Sequence, residues 1–226
     1  EGELPRIGYA YFIQAQGPLR NVYVEGENCV KMKPRLLEAD MILDGAIVSG
    51  NYIVSCQKNP TYLHQENPVI CSALRRAGKE LNFAGVVVST ESSSLDEKRD
   101  NALKIAEIAR EQHMNGIVVS QEGGGHADVD LMLTCEACEA AGVKVVLLAN
   151  EIAGPDGAMP PLVSFSPKAD AIVTTGNNDE LVSLPAMQCA LGGDILFNKP
   201  ATNSLETPLG ILYTATNQFG ASKMTT

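Results

Sequence analysis

Residues 49–68, SGNYIVSCQKNPTYLHQENP, concentrate side chains that can move protons or bind small ligands. A histidine in a loop exchanges protons near neutral pH, and a cysteine thiol carries protons or electrons. We therefore predict His64 and Cys56 as catalytic residues, with an ordinary surface histidine as the alternative for His64. Asn51 and Tyr52 add an amide and an aromatic ring, groups that bind polar and cationic ligands, and we predict both as substrate-binding residues.

Further polar residues lie at or just after the ends of predicted strands, where ligands bind in open parallel sheets. Small, amide and hydroxyl residues dominate there, with carboxylates and hardly any Lys or Arg. Such an edge suits a small polar or cationic ligand better than a phosphate. Ordinary polar loops are the alternative explanation. The additional predicted substrate-binding residues are Glu122, Gly123, Glu151 and Asn177.

Short runs of apolar and β-branched residues predict the strands that position these side chains. The predicted strands are residues 7–14, 45–49, 84–90, 116–121, 144–150 and 170–175. Most are continuously apolar, a pattern typical of strands buried on both faces of a parallel sheet. Asn67 before Pro68 predicts the start of a helix reaching about residue 80. A capping box at Ser94 predicts a second helix to residue 115, and a third covers 127–141.

Alternating strands and helices, spaced about 30 residues apart, predict an α/β fold. We expect an open, mostly parallel, doubly wound (Rossmann-like) sheet with an irregular C-terminal segment. Residues 1–185 would form the α/β sheet domain. Residues 186–226 would form a C-terminal extension packing on the same domain, with a short strand at 210–214.

The composition excludes several classes of partner. The 226 residues include 27 acidic and 17 basic ones, giving a net charge of −10. Nucleic acid and anionic membrane both need a positive surface, so neither is an expected partner. No apolar run approaches the ~18–20 residues of a membrane span, and the first residues lack a secretory signal pattern. With six cysteines interpreted as reduced thiols, we expect a cytoplasmic protein.

Two further motifs have plain explanations. The single CxxC, Cys135 to Cys138, lies in mid-helix without a second pair, so packed thiols are favoured over zinc or redox chemistry. EGGGH, residues 122–126, matches no nucleotide-binding fingerprint and is interpreted as a flexible turn. No metal site is predicted.

Several longer motifs follow one another along the chain: DGAIVSGN, TY-x-HQ-x-NP, GKELNF-x-GVVV, SQEGGGHADVDL, EIAGPDGA, DAIVTTGN and TATNQFG. Together they resemble the proprotein subunit of component B of glycine, sarcosine and betaine reductases. They are similar, more distantly, to the D-proline reductase proprotein. The resemblance covers nearly the whole chain and corresponds to the C-terminal half of the proprotein, which implies a separate chain equivalent to the N-terminal half as a partner.

The resemblance also implies a particular chemistry. Those proproteins cut themselves before a cysteine, which becomes a pyruvoyl group that holds an amino substrate as an imine. A selenocysteine on a partner subunit then attacks the substrate and expels the amine. The implied cut falls after Asn51, but the next residue is Tyr52, whose Cβ carries no sulfur or oxygen to attack or to leave. We therefore expect an uncleaved chain without the pyruvoyl cofactor, with the Ser55-Cys56 bond as an alternative cleavage point.

Three functional hypotheses remain open. The chain is a subunit of an oxidoreductase complex for reductive C–N cleavage of small amino-acid-type substrates, such as a betaine that forms no imine. Alternatively, it is a non-catalytic paralogue that serves as a scaffold or partner subunit. The third hypothesis is a small-amine binding or sensing module. The resemblance implies a selenocysteine-containing reductase subunit as a partner and a small amine or betaine as the substrate.

Overall fold

The centre of the fold is a mixed sheet whose strand order defines where a ligand site is expected. The computed structural model describes residues 3–17, 19–50, 58–151, 162–177, 181–191 and 193–208. Within this part of the chain, the sheet has six strands in the order β4 (Arg35–Leu37), β6 (Asn82–Thr90), β1 (Arg6–Ile13), β7 (Gly116–Gln121), β8 (Lys144–Glu151) and β9 (Ile172–Asn177). All neighbouring pairs are parallel except β4 with β6.

The chain reverses its direction of travel across this sheet between β1 and β7. From β1 it moves to β6 on one side, and then continues through β7, β8 and β9 on the other. The carboxyl ends of β1 and β7 therefore border a topological switch point, the usual position of a ligand crevice in open α/β sheets. The predicted α/β class and mostly parallel sheet are confirmed.

Helices cover both faces of the sheet. The helices in the described residues are α1 (Ala39–Leu43), α2 (Thr61–Gln65), α3 (Pro68–Arg76), α4 (Leu95–Glu111) and α5 (Asp128–Ala140), with 3-10 turns at Cys29–Lys31 and Gly125–Ala127. The predicted cap of α3 is confirmed, since the Asn67 side chain accepts hydrogen bonds from the N–H groups of Val69 (3.0 Å) and Ile70 (3.2 Å). This helix ends at Arg76, before the predicted residue 80, because the backbone of Ala77 is already non-helical, with a ψ of 134°.

Two hydrophobic cores separate the layers. One packs α4 and α5 on the sheet through residues such as Ile105, Leu131 and Leu147, which are all fully buried. The other lies on the opposite face, where Tyr9 and Tyr11 of β1 pack with residues such as Ile70 of α3. None of the described helices is long and apolar enough to cross a membrane.

The predicted strand at 45–49 belongs to a different sheet from the one expected. β5 (Ile47–Ser49) pairs antiparallel with β2 (Val22–Val24), which also pairs with β3 (Glu27–Asn28). Ile47 is buried whereas Val48 is 47% exposed, an alternation typical of an antiparallel sheet with one solvated face. Gly50 and the residues before it therefore do not end a strand of the parallel sheet, contrary to the prediction.

The C-terminal part contains short antiparallel pairs joined by turns. β10 (Leu181–Leu184) pairs with β13 (Leu205–Pro208), and β11 (Ile195–Leu196) pairs with β12 (Lys199–Pro200). The predicted strand at 210–214 lies outside the described residues. The division into residues 1–185 and 186–226 stays a prediction.

Replacement of Leu131 by alanine should destabilise the protein far more than the same change at Leu103. Leu131 is fully buried between α5 and the sheet, whereas Leu103 on α4 is 64% exposed. We expect Leu131→Ala to lower the free energy of unfolding by about 2–5 kcal/mol through lost burial and a residual cavity. Leu103→Ala should change it by no more than about 0.5 kcal/mol. Urea denaturation measures both, and equal shifts would contradict the assigned packing.

Candidate functional site

A buried carboxyl group lies at the switch point. Glu122 follows β7 directly, and its own N–H donates to the carbonyl of Phe12 in β1 (3.0 Å). Its side chain is fully buried. Oε2 accepts a hydrogen bond from the Gln14 N–H (2.8 Å). Oε1 accepts from the Tyr11 hydroxyl (3.2 Å) and from the Asn59 N–H (3.1 Å). The carboxyl group therefore joins the ends of β1 and β7 to the segment before α2.

The alternation of β1 and β7 places the partners of Glu122 on one face. Tyr9 and Tyr11 are two residues apart in β1, so both rings point to the same side of the sheet. Their ring centroids are 5.9 Å apart. Ser120 and Glu122 alternate in the same way at the end of β7, and the Tyr9 hydroxyl is 2.6 Å from Ser120 Oγ. This polar column lies on the face covered by α3 rather than on the face covered by α4 and α5.

Two Asn-Pro steps attach the following segment to these tyrosines. The side-chain amide of Asn59 donates to the Tyr11 hydroxyl (2.8 Å), and that of Asn67 lies 3.4 Å from the Tyr9 hydroxyl. Pro60 is the extended N-cap of α2, and Pro68 is the first residue of α3, where its fixed φ suits the first helical turn. The amides and prolines of residues 59–68 thus explain how α2 is held over the end of the sheet.

His64 is carried by α2 into the buried interior. It is 1% exposed, and its Nε2 is 3.5 Å from Oε1 of Glu122. Its ring centroid lies 5.6 Å from that of Tyr11. Neither ring nitrogen has a well-formed hydrogen bond to a described residue. Two residues predicted by separate arguments, His64 and Glu122, are therefore neighbours.

Burial shifts the pKa values of His64 and Glu122 away from those that the sequence predicted. The pKa of His64 is lowered to about 3, chiefly by loss of water and also by the charge of Lys58, while the Asn59 backbone acts in the opposite direction. Burial also raises the pKa of Glu122 to about 7, against the opposing effects of its three hydrogen-bond donors and of Lys58. The sequence predicted near-neutral titration for His64. In the structure it is Glu122 that titrates there, beside a neutral imidazole.

Asn21 binds the residues on either side of the stretch 51–57, which contains three of the predicted site residues. The Gly50 N–H donates to the carbonyl of Asn21 (2.9 Å), and Lys58 Nζ donates to Asn21 Oδ1 (2.6 Å). A Cβ on Gly50 would stand 2.7 Å from Asn21 Nδ2, so glycine permits this close approach. Lys58 is adjacent to Asn59, which binds Glu122. The remaining predicted residues, Asn51, Tyr52 and Cys56, lie outside the described residues.

Gly123 has a conformational role beside the carboxyl group. Its φ of 68° lies in the left-handed region, which favours glycine. Its carbonyl lies 3.3 Å from the Gln121 side-chain amide, which also donates to Asp128 Oδ1 (2.8 Å). The other oxygen of Asp128 accepts from the Val163 N–H (2.9 Å). The glycine turn therefore lets the chain pass from Glu122 into α5.

Glu151 and Asn177 are paired in register at the ends of β8 and β9. They follow β7 along the same carboxyl edge, as the sequence predicted. Their side chains lie outside the described part of the structure, and their substrate-binding role stays a prediction.

The opposite face of the switch point holds buried charges that the sequence analysis did not single out. Lys98 in α4 pairs with Asp130 Oδ2 in α5. Gln16 donates to Glu91 Oε2 (3.1 Å) beyond β6. Burial and the charge of Asp130 raise the pKa of Glu91 well above its usual range, and burial raises that of Asp130 to about 6. In the sequence, Lys98 on a largely apolar face of the predicted helix could have identified this buried pair.

Tyr11, Gln14 and Asn59 were also missed. The alternating tyrosines of YAYF could have identified Tyr11 as a same-face neighbour of the site. The roles of Gln14 and Asn59 depend on their backbone N–H groups, for which side-chain type gives no signal.

The CxxC cysteines are packed thiols, as predicted. Cys135 and Cys138 are buried in α5, and burial raises their pKa values to about 11 and 12. Among the residues that the structure describes, no three His, Cys, Asp or Glu side chains are grouped so as to hold a metal ion.

The fold and the site together define a doubly wound α/β protein with a candidate acid–base pair at its switch point. The chain belongs to the family of glycine/sarcosine/betaine reductase component B subunits, because the model of that family matches residues 1–224.

Characterised relatives agree with this assignment. The chain is 37% identical over 226 residues to "Glycine reductase complex component B subunits alpha and beta" of Peptoclostridium acidaminophilum, covering 96% of this chain and 53% of the relative. It is 36% identical over 233 residues to the protein of the same name from Acetoanaerobium sticklandii, covering 98% and 54%. It is 36% identical over 189 residues to "Betaine reductase complex component B subunit alpha" of P. acidaminophilum, covering 82% and 43%.

The chain therefore spans about half the length of the relatives that it matches. No solved structure matches it significantly.

The protonation states of the pair can be measured directly. In protein labelled with ¹³C at glutamate carboxyls, one resonance should titrate near pH 7 and be missing from Glu122→Gln. The imidazole ¹⁵N signals that disappear in His64→Gln should keep the chemical shifts of a neutral ring between about pH 5 and 8, with only a small change as the neighbouring Glu122 titrates, because burial keeps His64 neutral there. Titration of His64 near pH 6.5 would contradict the buried arrangement.

The raised pKa of Glu122 also affects stability. Its folded pKa of about 7 exceeds the unfolded value of 4.5, so between these pH values the folded state binds more protons. The contribution of Glu122 to stability is therefore fully present below about pH 4.5 and is lost as the pH rises through 7.

Proposed function

We propose that this chain is a subunit of a reductase complex that reductively cleaves C–N bonds in small amino-acid-type substrates. The main support is the buried pair of Glu122, whose pKa is about 7, and neutral His64 at the switch point. A carboxylic acid with this pKa can donate or accept a proton at physiological pH. Family membership, and relatives named as glycine and betaine reductase components, support the reaction class.

In this proposal the chain works uncleaved and without a pyruvoyl group. Residue 52 does not fit the group that the family resemblance implies, because the Cβ of Tyr52 bears neither a nucleophile nor a leaving group. Tyr52 instead contributes its ring, which attracts protonated or quaternary amines. The substrate then needs no imine, and a betaine qualifies as well as a primary amine.

The proposed reaction uses a selenolate of a partner subunit as the nucleophile. When the substrate is bound as a free amine, Glu122 in its acid form transfers a proton to the substrate nitrogen, whereas a quaternary nitrogen is already a cationic leaving group and needs no proton. The selenolate attacks the adjacent carbon, the C–Se bond forms, and the C–N bond breaks with its electron pair leaving on a neutral amine. A thiol of the electron donor then takes the selenium, which gives a C–H bond and an Se–S bond. His64 lies 3.5 Å from Glu122 and stays neutral, because burial lowers its pKa to about 3.

The buried pair favours a catalytic subunit over a scaffold. A carboxyl group and an imidazole without solvent reduce folding stability unless each polar atom finds a partner. His64 has no well-formed hydrogen bond to a described residue, and Glu122 stays protonatable near pH 7 despite three donors. A scaffold has no use for a destabilised acid–base pair, whereas an enzyme does.

Removal of the titrating carboxyl should slow amine release. In the assembled native complex acting on a primary amine, Glu122→Gln should lower the rate by ~10²–10⁴-fold, the usual range for loss of a general acid. Glu80→Gln, which removes an exposed glutamate paired with Arg76, is the control and should keep the full rate. An assembled Glu122→Gln complex with an unchanged rate would make the chain non-catalytic or assign the proton to another residue.

The state of residue 52 can be tested by intact mass. The unmodified protein should give one uncut chain, and Tyr52→Cys should yield two fragments divided after Asn51, because a thiol on Cβ can attack the preceding carbonyl. Tyr52→Phe is the matched control and should stay uncut. A borohydride-reducible carbonyl at a new N-terminus of the unmodified chain would overturn the pyruvoyl-free proposal.

A further inference from the structure

We propose that Glu91 is a positioning residue for Glu122 and acts through the segment 14–16, which binds both carboxyl groups. The two glutamates follow the strands on either side of β1, and the segment is the direct continuation of β1. The inference concerns the geometry around the Glu122 carboxyl. Only its consequence for the reaction rate rests on the proposed function.

The two glutamates occupy equivalent positions at the ends of β6 and β7. The sequences GVVVSTE and GIVVSQE end in Glu91 and Glu122. The Glu91 N–H donates to the carbonyl of Ile13 (3.0 Å), and the Glu122 N–H donates to that of Phe12 (3.0 Å). Their carboxyl groups lie on opposite faces of the sheet, Glu122 beside the tyrosines and Glu91 beside the charges of α4 and α5. The end of β1 therefore separates two buried acids.

The side chain of Gln16 holds the carboxyl group of Glu91. Glu91 is 3% exposed, its Oε2 accepts from Gln16 Nε2 (3.1 Å), and its Oε1 accepts from no described residue. Gln16 Oε1 accepts from the Ala15 N–H (3.0 Å). A backbone N–H can only donate, so this contact fixes the orientation of the amide and directs Nε2 to Glu91. The position of Gln16 is therefore tied to that of Glu91.

The same segment supplies a donor to Glu122. The Gln14 N–H donates to Glu122 Oε2 at 2.8 Å, the shortest of the three hydrogen bonds that this carboxyl accepts from described residues. Gln14 and Ala15 are both buried, and the carbonyl of Gln16 closes a turn by accepting from the Leu19 N–H (3.0 Å). Movement of the Gln16 side chain would turn the peptide units before it and weaken the contact of Gln14 with Glu122.

Direct repulsion between the two carboxyl groups is the alternative route of coupling. Burial raises the pKa of Glu91 well above its usual range, and the charges of Asp130 and Glu122 raise it further. These effects favour the neutral acid form of Glu91, which does not repel a carboxylate. The hydrogen-bonded segment is then the route that remains near neutral pH. The other titratable and charged groups that face the two carboxyls are Lys98, Lys58, Tyr11 and His64.

The pKa of Glu122, measured from its ¹³C carboxyl resonance in the full chain, tests this inference. Glu91→Leu removes the acceptor for Gln16, and Gln16→Ala removes the donor to Glu91. Each should loosen the Gln14 contact and raise the pKa of Glu122 from about 7 to about 8, because a weakened donor disfavours the carboxylate. Glu91→Gln keeps the acceptor and should leave the value near 7. Leucine at position 91 is apolar in a buried place, so folding is expected to survive.

A control variant and a second signal distinguish positioning from general loosening of the fold. Gln112→Ala removes another partly exposed glutamine, which contacts Arg6 at the start of β1, and should leave the pKa of Glu122 unchanged. The amide proton of Gln14 should shift as Glu122 ionises, because its N–H donates to that carboxylate. This shift should be smaller in Glu91→Leu and in Gln16→Ala than in Glu91→Gln.

Two results would overturn the positioning role. One is an unchanged pKa of Glu122 in both Glu91→Leu and Gln16→Ala. The other is a fall of that pKa in Glu91→Leu and Glu91→Gln alike, which would show that Glu91 acts by its charge.

The reaction rate separates this inference from the proposed function. In the assembled complex with glycine as substrate, the rate should fall as the pH rises through the pKa of Glu122, and Glu91→Leu should move the midpoint upward with that pKa. If the carboxyl pKa moves and the midpoint of the rate does not, Glu91 positions Glu122 but Glu122 is not the general acid.

Discussion

The carboxyl group of Glu122 determines how the segments around the switch point fit together. It has no access to water, so its oxygens must be satisfied by the protein. The donors come from three places: the Gln14 backbone after β1, the Tyr11 ring within β1, and the Asn59 backbone before α2. Because two of them are backbone N–H groups, the contacts define the path of the main chain as well as a set of side chains. The position of α2 over the sheet, and hence of His64, follows from this arrangement.

The burial that constrains the fold also shifts the pKa values of the groups at the site. Desolvation disfavours every charged form, so it raises the pKa of a carboxyl group and lowers that of an imidazole. For Glu122 and His64 the shifts run in opposite directions, towards a neutral acid beside a neutral base. The pair thereby avoids the large cost of a buried ion pair.

The sequence predicts features that depend on neighbouring residues, and it does not predict features that depend on tertiary contacts. Continuous apolar runs and the Asn67 cap are local, and β6, β7, β8 and α3 were found from them. The run at 45–49 was placed in the wrong sheet, because a short apolar segment does not reveal which strand it pairs with. Glu122 was found because it follows a strand, whereas the protonation state of His64 depends on burial, which only the tertiary structure shows.

The residues on either side of the stretch 51–57 both bind one residue, Asn21. Gly50 and Lys58 both bind Asn21, so the chain leaves the described fold and returns to it at a single point. For a flexible connection between two points held in this way, the entropy lost on closure grows only with the logarithm of its length, about 0.6 kcal/mol for each doubling. The fold can therefore accommodate extra or exchanged residues in this stretch at little thermodynamic cost.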